Sequence, residues 1–403
     1  MISSALSSSR PRPIYLDCHA TTPVDPRVLA TMLPYFTEHF GNPASSTHEY
    51  GWEAEAAVQQ AREAIATSIH ATPEEIVFTS GATEANNLAI KGIAEAYASK
   101  GRHLITVQTE HRAVLDPCRY LESLGFELTV LPVQGDGLLD LEKLTQALRP
   151  DTVLVSVMVA NNEIGVLQPI AAIGALCHAH SVLFHTDAAQ AIGKVPLNVR
   201  AMNIDLMSLT AHKVYGPKGI GALYVRRRNP RVQIASQFHG GGQERGRRAG
   251  TLYSPQIVGF AAAVKLALAE REIETERVKG LRDRLWQGFQ TLSGVHLNGH
   301  ESQRLPGNLN LSIAGVDGQA LAIGLQPLVA VSSGSACASA KREPSPVLLS
   351  LGQSPELAFA SIRFGVGRFT TAEEIDRVLE GAIGVIESLR KQQFSISLPP
   401  RLS

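Results

Sequence analysis

Short runs of β-branched and aliphatic residues alternate with alanine-rich, helix-period segments between residues 74 and 224. The candidate strands are residues 75–78, 104–107, 127–131, 153–159, 182–185, 206–209 and 222–225. The candidate helices between them include residues 84–98, 141–148 and 169–180. This alternation predicts an α/β fold, with a mostly parallel seven-stranded sheet and helices on both faces. Sheets of this kind place their sites at the carboxyl ends of the strands, so the residues after each run are the functional candidates.

A second region with a different texture follows Ser254. A helical pattern over residues 256–292 precedes two candidate strands, at 308–313 and 361–364. Thr371 and Glu374 have capping-box spacing, which predicts a final helix to about residue 389. Because 403 residues exceed one compact core, we predict two domains. The large one spans residues 22–268, and a smaller α+β domain combines both chain ends, 1–21 and 269–403.

Two segments of the small domain are predicted to lack regular structure. Residues 329–342 are dominated by Ser, Gly and Ala, which bury little, so part of this stretch is predicted to be a mobile loop that carries Cys337. The tail from residue 393, QFSISLPPRLS, is predicted to be irregular.

Charge and cysteine content exclude several classes of function. Lys plus Arg and Asp plus Glu both number 37, which gives no argument for nucleic acid or a membrane surface as a partner. No apolar run approaches the roughly 18 residues of a membrane span. The four cysteines show no C-x-x-C spacing, which argues against a zinc site or a disulfide scaffold and favours the reducing cytoplasm. The Ser-rich start has no apolar segment of a secretory signal; a remnant of an organellar transit sequence is the alternative.

The segment TSGATEANNL, residues 79–88, joins a strand to a helix. Gly81 permits a tight turn, and a helix that begins near Thr83 would present N–H groups and a hydroxyl to an anion. The alternative is an ordinary strand-to-helix turn capped by Thr83.

Two further strand ends deliver ionisable residues. Asp187 ends a buried strand in VLFHTDAAQ, and its carboxylate needs a cationic or hydrogen-bonding partner, such as a protonated ring nitrogen of a cofactor. The alternative is a helix N-cap. The segment LMSLTAHKVYGPKGIG delivers Thr210, His212 and Lys213 together, and a lysine there can form a Schiff base if desolvation or cationic neighbours lower its pKa. The alternative is a surface lysine.

Four residues elsewhere have side chains suited to chemistry. His111, in TEHRAV, could stack on a ring or shuttle a proton, or simply start a helix. Asn162 could donate a hydrogen bond, or could form a turn. Arg363 lies between apolar strand neighbours and needs a carboxylate or phosphate partner; the alternative is a structural ion pair. Cys337, among small residues, is predicted to be exposed and reactive.

The order of these segments along the chain identifies a protein family more specifically than any single segment does. Together with YLDCHATTPVDPRV, FGNPASSTHEYGW, NNEIGV, HGGGQERGRRAGT, VAVSSGSACASA and SIRFGVGRFT, they resemble the class V aminotransferase group of pyridoxal phosphate (PLP) enzymes. Within that group the chain is similar to the cysteine desulfurases of the housekeeping iron–sulfur type. The match runs through nearly the whole chain, and it implies a fold-type I PLP enzyme.

The resemblance assigns cofactor roles to individual residues. Lys213 would bond PLP covalently, Asp187 would meet the pyridine nitrogen, and His111 would stack over the ring. The remaining cofactor contacts that it implies are Ala82, Thr83, Asn162, Gln190, Thr210, His212 and, from the other subunit, Thr251. A contact from a second subunit implies a homodimer.

The resemblance also implies the reaction. L-cysteine would be the substrate, with Arg363 and Asn162 on its carboxylate. Cys337 would attack the substrate's sulfur, release L-alanine and keep a persulfide. The sulfur would pass to an iron–sulfur scaffold or another acceptor protein, for iron–sulfur cluster assembly or tRNA thiolation. No intrinsic metal is implied, although Cys337 could transiently ligate a cluster.

Three alternatives remain open at this point. Another fold-type I PLP enzyme, a β-lyase or a transaminase, would have no use for the thiol of Cys337. A non-catalytic sulfur-relay subunit would not need Lys213, Asp187 and His111 together. The final residues, 394–403, have no recognisable counterpart of the tail with which bacterial members contact their scaffold, so a different acceptor is an alternative partner.

Overall fold

The computed structural model describes residues 12–333 and 343–396. The described strands are β1 Ile14–Tyr15, β2 Ile76–Thr79, β3 His103–Val107, β4 Glu127–Leu131, β5 Thr152–Ser156, β6 Leu183–Asp187, β7 Leu206–Thr210, β8 Gly221–Val225, β9 Val295–Leu297, β10 Asn308–Ile313, β11 Val329–Ala330, β12 Ser332–Ser333 and β13 Ser361–Gly365.

The described helices occupy the segments between these strands. They are α1 Pro26–Met32, α2 Pro34–Thr37, α3 Glu49–Ser68, α4 Ala82–Tyr97, α5 Arg112–Glu122, α6 Leu141–Ala147, α7 Ile170–Ala179, α8 Ser254–Phe289, α9 Gly318–Leu325, α10 Pro346–Ser350, α11 Pro355–Phe359 and α12 Ala372–Ile396. None of these helices combines the length and apolar character that crossing a bilayer requires.

Seven strands form the central sheet, in the order β2-β8-β7-β6-β5-β3-β4. All neighbours from β7 to β4 pair in parallel, and only β8 runs antiparallel to its neighbours β2 and β7. Alternate residues of a strand face opposite sides, and both sides are buried here: Val77 and Leu154 pack in one core, Phe78 and Val155 in the other. The predicted mostly parallel seven-stranded sheet is therefore confirmed.

The second unit has its own sheet and core. Strands β12-β13-β10-β9 form an antiparallel sheet, and β1 pairs in parallel with β11. Its core includes the rings of Phe289 and Phe364, whose centroids lie 5.4 Å apart. The predicted capping box of α12 is present: Thr371 N donates to Glu374 Oε2 at 3.0 Å, and Glu374 N donates to Thr371 Oγ1 at 3.2 Å.

One of the two predictions of irregular structure was partly wrong. Helix α12 continues to Ile396, past the expected end near residue 389, so the first residues of the predicted irregular tail are helical. Part of residues 329–342 was predicted to be a loop, and the beginning of this stretch forms β11 and β12, of which β12 pairs with β13. Residues 334–342, with Cys337, lie outside the described residues.

The described chain divides into two compact units. The large unit comprises His19–Thr275 and Gly299–Leu305, and the small unit holds the other described residues. The boundary at Glu276 falls inside α8, later than residue 268, where we expected it. Residues 299–305, which we expected in the small domain, belong to the large unit: Leu305 N donates to Gly165 O at 2.9 Å.

Candidate active site

The turn between β2 and α4 has the features of an anion site. Gly81 adopts φ +154° and ψ −178°, a conformation that side-chain-bearing residues rarely take. Helix α4 begins at Ala82, and no side chain caps its first turn. Its first N–H groups and the positive end of its dipole therefore suit an anion. Thr83 is exposed and does not cap the helix, so the alternative of a capping Thr83 is wrong.

Thr210 lies next to this turn. In the sheet register Gly221 pairs with both Thr79 and Thr210, so all three share one edge of the sheet. A Cβ atom built on Gly81 would lie 3.9 Å from Thr210 Oγ1, and one built on Gly221 would lie 2.7 Å from Gly81 Cα. Glycine at 221 thus permits the close approach that brings the Thr210 hydroxyl to the start of α4.

Lys213 and Gln190 meet at one backbone oxygen. Lys213 Nζ and Gln190 Nε2 both donate to the carbonyl of His19, the latter at 2.8 Å. The His19 Nδ1 atom lies 3.1 Å from Gln190 Oε1. Sequence reasoning missed His19, although it lies in the DCHATTP segment. Its role depends on contacts with Gln190 and Lys213, which are distant in sequence, and sequence alone does not reveal such contacts.

His212 is anchored on both its backbone and its ring. Its carbonyl accepts Thr22 N at 2.9 Å and Thr22 Oγ1 at 3.0 Å, and its Nδ1 lies 3.1 Å from Thr21 Oγ1. Burial, helped by the charges of Lys213 and other lysines, lowers the pKa of His212 to about 4. The imidazole is therefore neutral near pH 7.

Asp187 is a buried carboxylate with two amide donors. Only 7% of its surface is exposed. Asn86 Nδ2 donates to its Oδ2 at 2.7 Å, and Ala189 N donates to its Oδ1 at 2.8 Å. Asp187 thus caps a turn and not a helix, which corrects the N-cap alternative. Asn86 was missed by sequence reasoning; a polar residue within the apolar face of a helix was its signal.

His111 is the N-cap of α5. Its Nδ1 accepts the N–H of Ala113 at 3.0 Å, so the neutral ring carries its proton on Nε2. The expectation of a helix-start histidine is confirmed, and the residue is exposed. The loop of Asn162 is tied to the same place, because Asn161 Nδ2 donates to Thr109 O at 2.8 Å. Asn162 itself is a half-buried turn residue.

A Gly- and Arg-rich segment packs against the start of α4. Arg248 forms an ion pair with Glu84 at 2.8 Å, and the buried Glu244 binds Arg62 at 2.6 Å. These contacts fix the segment that leads to Thr251, which is exposed in this chain.

The small unit holds the remaining charged candidate. Arg363 Nη2 donates to Asp17 Oδ1 and to Ser332 Oγ, both at 2.6 Å. Ser332 Oγ donates in turn to both Asp17 oxygens, at 2.9 and 3.1 Å. The structural ion pair expected as an alternative for Arg363 is therefore present.

The large-unit residues fit PLP. An uncapped helix start with the Thr210 hydroxyl suits a phosphate, and the buried Asp187 carboxylate suits a protonated ring nitrogen. Lys213 supplies an amine, and Gln190 supplies an amide beside it.

Comparisons with known families and solved structures identify the family of the chain. The profile of the family described as Aminotransferase class-V matches residues 14–378. A NifS-like protein of known structure superposes with a TM-score of 0.87, at 36% identity over 94% of this chain and 100% of that chain. The solved structure of SspA in complex with cysteine gives a TM-score of 0.79, at 38% identity over 89% and 100% of the two chains. The chain therefore belongs to the class V aminotransferase family.

Two curated relatives indicate the group of enzymes within this family to which the chain belongs. The IscS cysteine desulfurase of Methylococcus capsulatus is 59% identical, over 90% of this chain and 90% of its own length. The mitochondrial cysteine desulfurase of Arabidopsis thaliana is 57% identical, over 94% and 84% respectively. Within its family the chain is thus one of the cysteine desulfurases.

Proposed function

We propose that this enzyme uses PLP to remove sulfur from L-cysteine, releasing L-alanine and leaving a persulfide on Cys337. The observation that carries the proposal is the meeting of Lys213 and Gln190 on the His19 carbonyl. The family membership supports the same reaction. It also disfavours the β-lyase, transaminase and relay-subunit alternatives.

The large unit would hold the cofactor. The first turn of α4, at Ala82 and Thr83, together with Thr210 and His212, would bind its phosphate. Asp187 would pair with the ring nitrogen, and Gln190 would donate to the ring oxygen. His111, fixed by its bond to Ala113, would lie over the ring with its proton on Nε2.

Lys213 and the partner subunit would complete the cofactor site. The amine of Lys213 would bond the cofactor, and Thr251 of a second subunit would reach the phosphate. Bound PLP supplies an electron sink for carbanion chemistry next to the substrate's amine.

The substrate and Cys337 would exchange one sulfur atom. Arg363, with Asn162, would bind the substrate carboxylate; Asp17 and Ser332 hold its Nη2 and thereby orient the guanidinium. The Cys337 thiolate attacks the substrate sulfur, so an S–S bond forms while the substrate C–S bond breaks. The electron pair of that bond stays on carbon, which is protonated and leaves as L-alanine. The acceptor of the sulfur would be an iron–sulfur scaffold or another protein.

A reducing compartment, such as the cytoplasm, would suit this chemistry. A persulfide carrier needs a reduced thiol, and Cys118 and Cys177 are free and buried in the described chain. Burial raises the pKa of Cys118 and Cys177 to about 12, so neither competes as a thiolate.

An exposed aromatic patch supports a homodimer. Its apolar side chains are 46–62% exposed. They are Leu29, Leu33, Phe36, Phe40, Tyr50, Trp52 and Tyr253. Ring contacts join Phe36 to Tyr253 and Phe40 to Tyr50, at 6.2 and 5.4 Å. Exposed apolar side chains of this kind mark an interface, and one of them, Tyr253, is two residues from Thr251 in sequence. Light scattering should find Phe40→Asp monomeric, whereas Ile273→Asp, at a separate exposed site, should remain a dimer.

Two variants test the reaction. After incubation with cysteine, mass spectrometry should find one extra sulfur atom on the Cys337 peptide of the wild type. Cys337→Ser should keep the absorbance of bound cofactor and yield no persulfide; the control Cys177→Ala should still yield it. Lys213→Ala should lose both absorbance and turnover, whereas Lys218→Ala should keep both. Alanine formation by Cys337→Ser at the wild-type rate would refute the persulfide step.

A further inference from the structure

Glu110, between the end of β3 and the N-cap residue His111, is a buried carboxyl group that the proposed chemistry does not use. It is 4% exposed. Its Oε1 accepts the N–H of Met158 at 2.5 Å, and its Oε2 has no hydrogen-bond partner among the described residues.

The position of Glu110 connects it to Asp187. Met158 N binds the Glu110 carboxyl, and the next amide, Val159 N, donates to the Asp187 carbonyl at 2.9 Å. Strands β3, β5 and β6 are neighbours in the sheet, so both acids lie where these strands end. Asp187 also acts on Glu110 electrostatically.

Two ionised carboxylates here would be unfavourable. In the described part of the chain, the groups that act on Glu110 are the Asp187 anion and the amides of Met158 and His111, with no cation among them. Burying a charge without a cation is energetically unfavourable. Asp187 has two amide donors, whereas one Glu110 oxygen has none, so the proton belongs on Glu110.

We propose that Glu110 is a positioning residue, held as the neutral carboxylic acid, that leaves Asp187 as the single negative charge facing the cofactor ring. This inference rests on the proposed PLP site only for the role of Asp187. A second buried acceptor without a donor, Asn86 Oδ1, belongs to the same side chain that donates to Asp187.

The surroundings of Glu110 agree with this assignment. Burial first, and then the charge of Asp187, raise the pKa of Glu110 well above its usual range. Among the described residues, Cys118 is another titratable side chain that interacts with it, and burial raises the pKa of Cys118 to about 12. Near pH 7 the thiol is therefore neutral and adds no second charge.

Infrared spectroscopy tests the proton directly. At pH 7 the enzyme, with or without cofactor, should show a carboxylic acid C=O band that Glu110→Gln lacks. The exposed α5 control Glu122→Gln should retain the band. If Glu110→Gln loses only a carboxylate band, Glu110 is ionised and the inference is wrong. Because the measurement does not need PLP, its result distinguishes a failure of this inference from a failure of the proposed function.

The cofactor's absorbance tests the positioning role. Glutamine has the charge and acceptor of the neutral acid, so Glu110→Gln should leave the pH midpoint of the bound cofactor's absorbance within a few tenths of a unit. Glu110→Leu leaves the Met158 N–H unpaired and should weaken PLP binding about tenfold. If Glu110→Gln shifted this midpoint by about one pH unit, the proton affinity would have changed about tenfold. Such a shift would show that the substitution removes a charge, and it would overturn the proposal.

Discussion

The cofactor region of the large unit and the Arg363 cluster of the small unit are held by different forces. Lys213, Gln190 and His212 are fixed by short bonds to backbone carbonyls and hydroxyls near strand ends. Arg363 is fixed by the charge of Asp17. We propose that the large unit determines cofactor binding and turnover, and that the small-unit cluster determines affinity for the substrate carboxylate.

The largest effect should come from Asp187. Asp187→Asn keeps the shape but removes the negative charge, so kcat should fall roughly 10²–10³-fold, as for loss of one preorganised electrostatic contact. Steady-state kinetics of alanine release measure this. Asp116→Asn, exposed on α5, is the control. If Asp187→Asn kept the wild-type kcat, the proposed division of roles between the cofactor region and the Arg363 cluster would be wrong.

Substitution of Arg363 should act on affinity instead. Arg363→Lys keeps the charge but loses the planar fork, so KM for cysteine should rise about 10- to 100-fold, the value of a hydrogen bond to a charged group. The cofactor's absorbance should not change. Arg377→Lys, exposed on α12, should behave as the wild type. If Arg363→Lys changed the cofactor's absorbance and left KM unaltered, Arg363 would act on the cofactor and not on substrate affinity.

The half-buried His212 predicts a pH dependence of stability for the large unit. Its pKa is about 4 in the folded protein and 6.5 in the unfolded chain, so the folded state binds fewer protons between these values. The free energy of unfolding should therefore fall as pH drops from 6.5 toward 4. Urea unfolding of His212→Gln should show a smaller fall, whereas the exposed small-unit control His296→Gln should match the wild type. An unchanged fall in His212→Gln would exclude this cause.

The smallest effect should come from the capping box of α12. Thr371→Ala removes one acceptor and should lower the free energy of unfolding by about 1 kcal/mol, with kcat and KM unchanged. Thermal unfolding measures the loss. Thr371→Ser keeps the hydroxyl and should restore stability; if it does not, the hydrogen bond to Glu374 N is not the cause.

The sheet was predictable because its strands are local, apolar and bounded by turn residues. Every strand from β2 to β8 was expected within a few residues. Helix α3 was not predicted, although Ala54, Val58, Ala61 and Ile65 form its buried face at helical spacing. Helix α12 extends beyond its expected end, because helix ends depend on packing as well as on local sequence signals.

The site was predictable where a strand end fixes a residue, as for Asp187, Thr210 and Lys213. The contacts of His19, Asn86 and Glu110 were not, because they join segments distant in sequence. The Asn86–Asp187 bond, for example, spans 101 residues. The cofactor, substrate and catalytic roles of all these site residues stay predictions, including those of Cys337, Thr251 and His111.

Identification of the lysine that bonds PLP tests the central claim most directly. The cofactor-loaded enzyme would be reduced with borohydride, which makes the lysine–cofactor bond permanent, then digested and analysed by mass spectrometry. The account predicts the cofactor's mass on the peptide that carries Lys213. The same mass on Lys194 or Lys218, with Lys213 unmodified, would contradict it.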